Sequence, residues 1–239
     1  MVAAFGETTA GPVLPHLLDN MLESEEGRRI LKERPRINTS TVDMAALARL
    51  PENTFGHTYV TWLERCGVTP DTRDPVRPPK YSYTLSPSLP LIVPTFQVHY
   101  IDDPELAYVM QRYRECHDFY HALFGLPVTV EYELALKVFE FANLGLPSAA
   151  LSTAAVIRLN SAKRARFFSE YLPWALRCGS AARSMITVYW EERWAQNLGE
   201  LKKELGVWDP PPPKWRKPLP EAKEAAARRA AAESSSQTG

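Results

Sequence analysis

The side chains of this chain best spaced to hold a metal fall in one stretch, Cys116 to Glu133, which reads C-H-D-F-Y-H-A-L-F-G-L-P-V-T-V-E-Y-E. At its centre is His117-Asp118-x-x-His121, followed after eleven residues by Glu133. On a helix, His117 and His121 stand four apart and point the same way, with Asp118 on the adjoining flank. The breakers Gly125 and Pro127 then allow a returning helix to bring the Glu133 carboxylate opposite the two imidazoles. Two imidazoles and two carboxylates suit a borderline divalent ion, zinc first, with iron and manganese open on the same donor set. A lone helical histidine is ordinarily a surface residue or a satisfied core residue. Here two of only five histidines fall at helical spacing with an acid between them. They also share the stripe of Leu106, Val109, Met110, Tyr113, Tyr120 and Phe124, where polar rings are costly unless something satisfies them.

The elements that must position these residues are helical. Asp103 is a good N-cap, with Pro104 at the first helical position, so the helix carrying the histidines has a firm start and runs from 103 to 124. Val130 to Leu144 forms the return helix, with Glu133, Leu136, Glu140 and Leu144 on one side and Gly145 ending it. Glu131 is a rival acid but faces away, Cys116 packs or lines the site, and His57 reads as a helix-start surface residue. Leu14 to Glu33 reads as one helix ending near Pro35, His57 to Cys66 as another stopped by Gly67, and Arg183 to Leu205 as a long one capped by Gly206. Residues 148 to 158 are small and apolar, fit for a packed helix or a lipid-facing wall. The following Lys163, Arg164 and Arg166 beside Phe167 and Phe168 would suit an anionic membrane surface. Strands are essentially absent, so the expected fold is all-α, a single helical domain with a metal site between antiparallel helices.

With 239 residues and 45% hydrophobic content, the chain can bury one sizeable core. Its 28 Lys and Arg balance its 28 Asp and Glu, so no overall field draws nucleic acid. Three scattered cysteines, Cys66, Cys116 and Cys178, argue for a reducing compartment. No run of about 18 apolar residues is present to span a membrane. The first arginine is Arg28, so no Arg-rich presequence is visible. Residues 78–99 carry five prolines and read as an extended loop. Residues 209–239, rich first in Pro and then in Ala, form a tail expected to be disordered.

The pattern His117-Asp118-x-x-His121-x(11)-Glu133 resembles the signature of the coenzyme Q biosynthesis protein four family, which is mitochondrial. Similar to that family too are Gly27 to Ile37 (G-R-R-I-L-K-E-R-P-R-I), Leu50 to Gly56 (L-P-E-N-T-F-G) and Tyr100 to Tyr108 (Y-I-D-D-P-E-L-A-Y). The likeness resumes at Gly145-Leu146-Pro147, Leu172 to Ala175 (L-P-W-A) and Tyr189 to Trp194 (Y-W-E-E-R-W), and covers about residues 11–208. In that family Arg77 would pass almost directly to Tyr100, so 78–99 is an insertion, either a surface loop or translated intron. The resemblance implies ubiquinone biosynthesis: decarboxylation at C1 of 4-hydroxy-3-methoxy-5-polyprenylbenzoate to 2-methoxy-6-polyprenylphenol, with zinc on His117, Asp118, His121 and Glu133. It implies as partners polyprenylated ring intermediates, other ubiquinone-biosynthesis enzymes in a complex and the matrix side of the inner membrane, met peripherally, and leaves a homodimer open. The competing reading within the family is a non-catalytic scaffold and lipid carrier with a structural metal. An HD-type phosphohydrolase needs a further upstream histidine and a downstream Asp around the His-Asp doublet, and no upstream histidine is suitably spaced, since His57 lies at a helix start and His99 in the 78–99 span. A zinc peptidase needs Glu where Asp118 stands, and Asp is too short for that role.

Overall fold

The computed structural model describes residues 2–71 and 101–215, with side chains from residue 6 onward. The 78–99 insertion and residues 216–239 of the tail lie outside the described residues. Among the described residues the α-helices are α1 (Val2–Ala10), α2 (Leu14–Glu23), α3 (Glu25–Glu33), α4 (Met44–Ala48), α5 (Phe55–Cys66), α6 (Pro104–Phe124), α7 (Val130–Leu144), α8 (Pro147–Ser152), α9 (Ser161–Arg166), α10 (Leu172–Ala181) and α11 (Leu198–Leu205). Short 3-10 turns cover Thr153–Arg158, Met185–Thr187 and Trp190–Glu192. No strand forms among the described residues, and a single isolated bridge joins Thr54 to Asn197. The fold is all-α.

Helix α6 is the axis of the molecule. Asp103 caps it by accepting from the Glu105 and Leu106 amides, Pro104 fills its first turn, and Gly125 closes it at φ 62°. Fifteen of its 21 residues are buried, so it is covered on almost every side and the polar residues on it cannot be a solvated face. Its first half, through Tyr108, Val109 and Tyr113, packs with α2, α3 and Ile186. Its second half, through Phe119, Tyr120 and Leu123, enters a larger core made with α5, α7 and α10. The start of α5 is locked there by aromatic contacts of Phe55 with Phe119, Trp190 and Trp194, at centroid distances of 5.6, 5.2 and 5.6 Å.

Two helices expected from periodicity are broken by tertiary contacts. Leu14 to Glu33 is two helices, because Ser24 leaves helical geometry and accepts from the Gly27 amide as the cap of α3. Gly27 allows the sharp return: a Cβ there would lie 2.2 Å from the Met21 carbonyl oxygen. Arg183 to Leu205 is helical only from Leu198, since its backbone is taken by other partners. The Met185 amide donates to Asn143 and the Tyr189 amide to Glu26, while the carbonyls of Trp194 and Gln196 accept from Gly56 and Phe55. Each bond spent outward is one the long helix does not form. Between α9 and α10 the π-turn Phe167–Tyr171 carries the chain into Pro173, which lacks an amide proton and so sits at a helix start.

The described part of the expected tail is packed. The Trp174 indole donates to the Trp208 carbonyl, the Tyr171 hydroxyl to Pro211, and the Lys214 amide to the Tyr132 hydroxyl. The Arg65 guanidinium lies 3.7 Å from the centre of the Trp215 ring. Residues 209–215 thus run as a strap across α10 and α7 to the end of α5.

Candidate metal centre

The pairing of α6 with α7 is read from side chains. Tyr113 and His117 both reach Glu140, while His121, further along α6, reaches Glu133, further back on α7. The partners run in opposite order, so the two helices are antiparallel where the histidines sit. His117 Nε2 lies 3.4 Å from Glu133 Oε2, and His121 Nε2 lies 3.0 Å from Glu133 Oε1. The ligand atoms of these three residues fall within 4.8 Å of one another, the spread of a coordination sphere. The imidazoles meet at 4.9 Å and 77°, and Trp62 stacks on His121 at 5.3 Å. His117 and His121 side chains are 7% and 0% exposed, and Glu133 is 33% exposed, so the site opens on the glutamate side.

The tautomers follow from the other ring nitrogens. The Leu126 carbonyl can only accept, so His121 Nδ1, 3.0 Å away, carries a proton and leaves Nε2 facing Glu133. The Trp62 indole donates to the same carbonyl at 2.8 Å and fixes its place. His117 Nδ1 likewise gives its proton to Glu140, at 2.5 Å. Both Nε2 lone pairs therefore point at the two oxygens of one carboxylate, an arrangement that repels unless a proton or a cation lies between. Two neutral imidazoles and one carboxylate are the donors a divalent ion such as zinc takes. This electrostatic demand, with Nδ1–H anchored behind each ring, fits the residues to a metal.

The carboxylates are ionised. Burial alone would raise Glu133, but whenever the two rings carry protons on Nε2, hydrogen bonds and charge from His117 and His121 hold it well below the usual carboxylate range. Glu140, fully buried, is pushed up by desolvation and pulled down further by His117 and Lys137, to about 2. Cys66 stands at the edge of the site, where burial, with the charges of Asp118 and Glu133 adding to it, lifts its thiol to about 11. A protonated thiol is a poor ligand beside two imidazoles.

Three of the four sequence-predicted ligands, His117, His121 and Glu133, converge. Asp118, expected as the fourth, is half-buried on the flank of α6 and is not in the converging set. Glu131 turns to Lys163 and Arg166, each at 3.8 Å, and takes no part. His57 contacts Thr61 away from the site, and Cys116 is core. Sequence reasoning missed Tyr113, Lys137 and Glu140, which gather behind His117. The signal was present: Tyr113 precedes His117 by four, and Lys137 and Glu140 follow Glu133 by four and seven, one face of each helix.

The family model described as Coenzyme Q (ubiquinone) biosynthesis protein Coq4 matches residues 1–81 and 95–211. The break, 82–94, falls within the 78–99 span. The chain is 62% identical over 229 residues to the mitochondrial ubiquinone biosynthesis protein COQ4 of Laccaria bicolor, covering 95% of this chain and 70% of that protein. It is 60% identical over 230 residues to the protein of the same name from Coprinopsis cinerea, covering 96% and 72%. A crystal structure of a Nostoc punctiforme protein ascribed to ubiquinone biosynthesis shares the fold, with a TM-score of 0.56 at 19% identity over 82% of this chain and 81% of that one.

Proposed function

From the premise that this chain belongs to the Coq4 family of ubiquinone biosynthesis proteins, we propose that it removes the C1 carboxyl group of 4-hydroxy-3-methoxy-5-polyprenylbenzoate to give 2-methoxy-6-polyprenylphenol. The observation that carries the reading is the convergence of both Nε2 atoms on Glu133. In this reaction the ring-to-carboxyl bond breaks, its electrons stay on the ring carbon, and that carbon takes a proton as CO2 departs. A divalent ion, when bound, supplies a Lewis acid for the carboxylate or phenolate oxygen. The protein's part is placement and exclusion. Glu140 and Leu126 hold the two imidazoles as Nδ1–H tautomers, Trp62 covers one face of His121, and burial keeps water off both rings. Glu133 alone of the three faces outward, so an aromatic acid approaches from its side. Three protein donors, in place of four, leave room for a substrate oxygen, which supports turnover over a closed structural site.

The relatives' mitochondrial designation supports placing this chain in the same organelle, and within it our reading sets the chain at the matrix side of the inner membrane, among the other enzymes of the pathway. No helix among the described residues is long and apolar enough to cross a membrane. A peripheral mode fits the exposed Leu151, Ile157 and Phe168 beside Arg158, Lys163 and Arg164.

The test compares wild type with His121→Ala, Glu133→Ala and Asp118→Asn for zinc content, association with partner enzymes and CO2 release from a short-chain substrate. The first two variants are expected to lose metal and CO2 release while still folding and associating, and Asp118→Asn to keep its metal. Metal-free variants releasing CO2 at the wild-type rate would replace the catalytic reading with that of a scaffold.

A further inference from the structure

Behind His117, on the side turned away from Glu133, lies a second carboxylate whose contacts reach beyond fixing the His117 tautomer. Glu140 is 0% exposed, with Oε1 accepting from His117 Nδ1 at 2.5 Å. Its Oε2 accepts from the Tyr113 hydroxyl at 2.8 Å and from Lys137 Nζ at 2.6 Å. Lys137 also donates to the Tyr113 oxygen at 3.1 Å and comes within 3.2 Å of His117 Nδ1. Since an ammonium only donates and Nδ1 gives its proton to Glu140, that last approach reflects two donors sharing one carboxylate.

The geometry points to Glu140 as the residue that positions His117 for its metal, with Lys137 and Tyr113 holding Glu140 charged and in place. The inference rests on the metal-centre reading above. Three of its features follow from the network. A carboxylate behind Nδ1 makes the imidazole a more basic ligand and fixes its ring plane, so Nε2 is aimed before any ion arrives. The Lys137 ammonium offsets the Glu140 charge, so the pair is self-neutral and the charge at the ion is set by Glu133 alone. A divalent ion with one carboxylate ligand then keeps a net positive charge, which suits an anionic aromatic acid and would be lost if Glu140 stood there uncompensated. Tyr113 and Lys137 also occupy the Oε2 lone pairs, leaving Oε1 for the histidine.

A buried ion pair can equally serve folding alone, and the experiment separates the two roles. Zinc dissociation constants, thermal midpoints and the nitrogen-15 NMR signal of the His117 Nδ1–H group are measured for wild type, Glu140→Gln and the double variant Lys137→Met/Glu140→Gln. Glu140→Gln is expected to weaken zinc binding roughly tenfold to a hundredfold and to shift the Nδ1–H resonance of the metal-free protein. The double variant, which removes both charges, is expected to recover the thermal midpoint while its zinc affinity stays low. Recovery of affinity together with the midpoint would make the network structural and overturn the inference, as would Glu140→Gln binding zinc within about threefold of wild type. Should wild type take up no zinc, the metal-centre reading falls by itself. The Nδ1–H signal still decides the positioning role: if Glu140→Gln leaves it unchanged, Glu140 does not hold His117.

Discussion

Glu140 keeps its charge without any contact with solvent, and that has a cost that pH exposes. Its carboxyl titrates near 2 in the folded chain against an ordinary 4.5, because His117 and Lys137 outweigh the desolvation that acts the other way. A depressed carboxylate contributes stability that is present above its unfolded value and is lost as pH falls through its folded one. The window therefore runs from about pH 4.5 down to 2. At about 1.4 kcal/mol per unit the effect is on the order of 3 kcal/mol, with no solvent screening to discount at a fully buried group. Urea unfolding of the metal-free protein at a series of pH values should show wild type losing stability across that window and Glu140→Gln staying flatter. Parallel curves for the two would mean that Glu140 is not ionised in the fold.

At the scale of elements, α10 is held against α7 by unusual closeness and by one amide. A Cβ on Gly179 would lie 2.6 Å from the Phe139 carbonyl oxygen, so only glycine lets the two backbones approach this far. Just past that crossing, Asn143 donates to the carbonyls of Gly179, Ala182 and Arg183 at 3.1, 3.3 and 3.1 Å, and accepts from the Met185 amide at 2.9 Å. One side chain thus ends α10 and starts the irregular segment that displaced the expected long helix. Asn143→Ala leaves those backbone groups without partners, and chemical denaturation should show a loss of about 2–4 kcal/mol. Because Glu133 sits near the opposite end of α7, zinc content below the unfolding transition should be unchanged. The ends of α5, α6 and α7 were legible beforehand, since Gly67, Gly125 and Gly145 adopt positive φ of 68°, 62° and 72° at those stops. The break at Ser24 was not read, although Ser24 followed by Glu25 and Glu26 is a local cap signal, because the apolar periodicity runs on across it.

For the whole molecule, the stretch from α8 into the π-turn after α9 carries the three most exposed large apolar side chains among the described residues, Leu151, Ile157 and Phe168. Ala154 and Ile157 eclipse one another on a 3-10 turn, which has three residues per turn, and with Leu151 they form an exposed row. Ile157 is 77% exposed and Phe168 50%, more than a packed helix leaves to water. The Lys163 and Arg166 ion pairs with Glu131 hold α9 against the first turn of α7, placing this basic, apolar face beside the helix that carries Glu133. Sedimentation with phosphatidylglycerol vesicles should capture the wild-type protein at low salt, release it as salt rises, and fail to capture Ile157→Glu/Phe168→Glu. Equal capture of the variant would remove this face from the account of membrane contact.

The sequence by itself determined the helical class and the caps of the two helices that matter most, and it set His117 and His121 on one helical face. Those are local properties: a cap is read from a few neighbours, and His117 and His121 share a face because a helix repeats every 3.6 residues. Tertiary structure decided which acids join the histidines. Glu133 faces both Nε2 atoms and Glu140 stands behind His117, while Asp118 stays on the flank of α6. That choice depends on how α7 lies against α6, which periodicity along either helix does not contain. The same holds for residues 183–197 and for the strap at 209–215, whose backbone groups find partners far away in the chain. A segment's own pattern shows that its polar backbone must be satisfied, and only the assembled fold supplies the groups that do so.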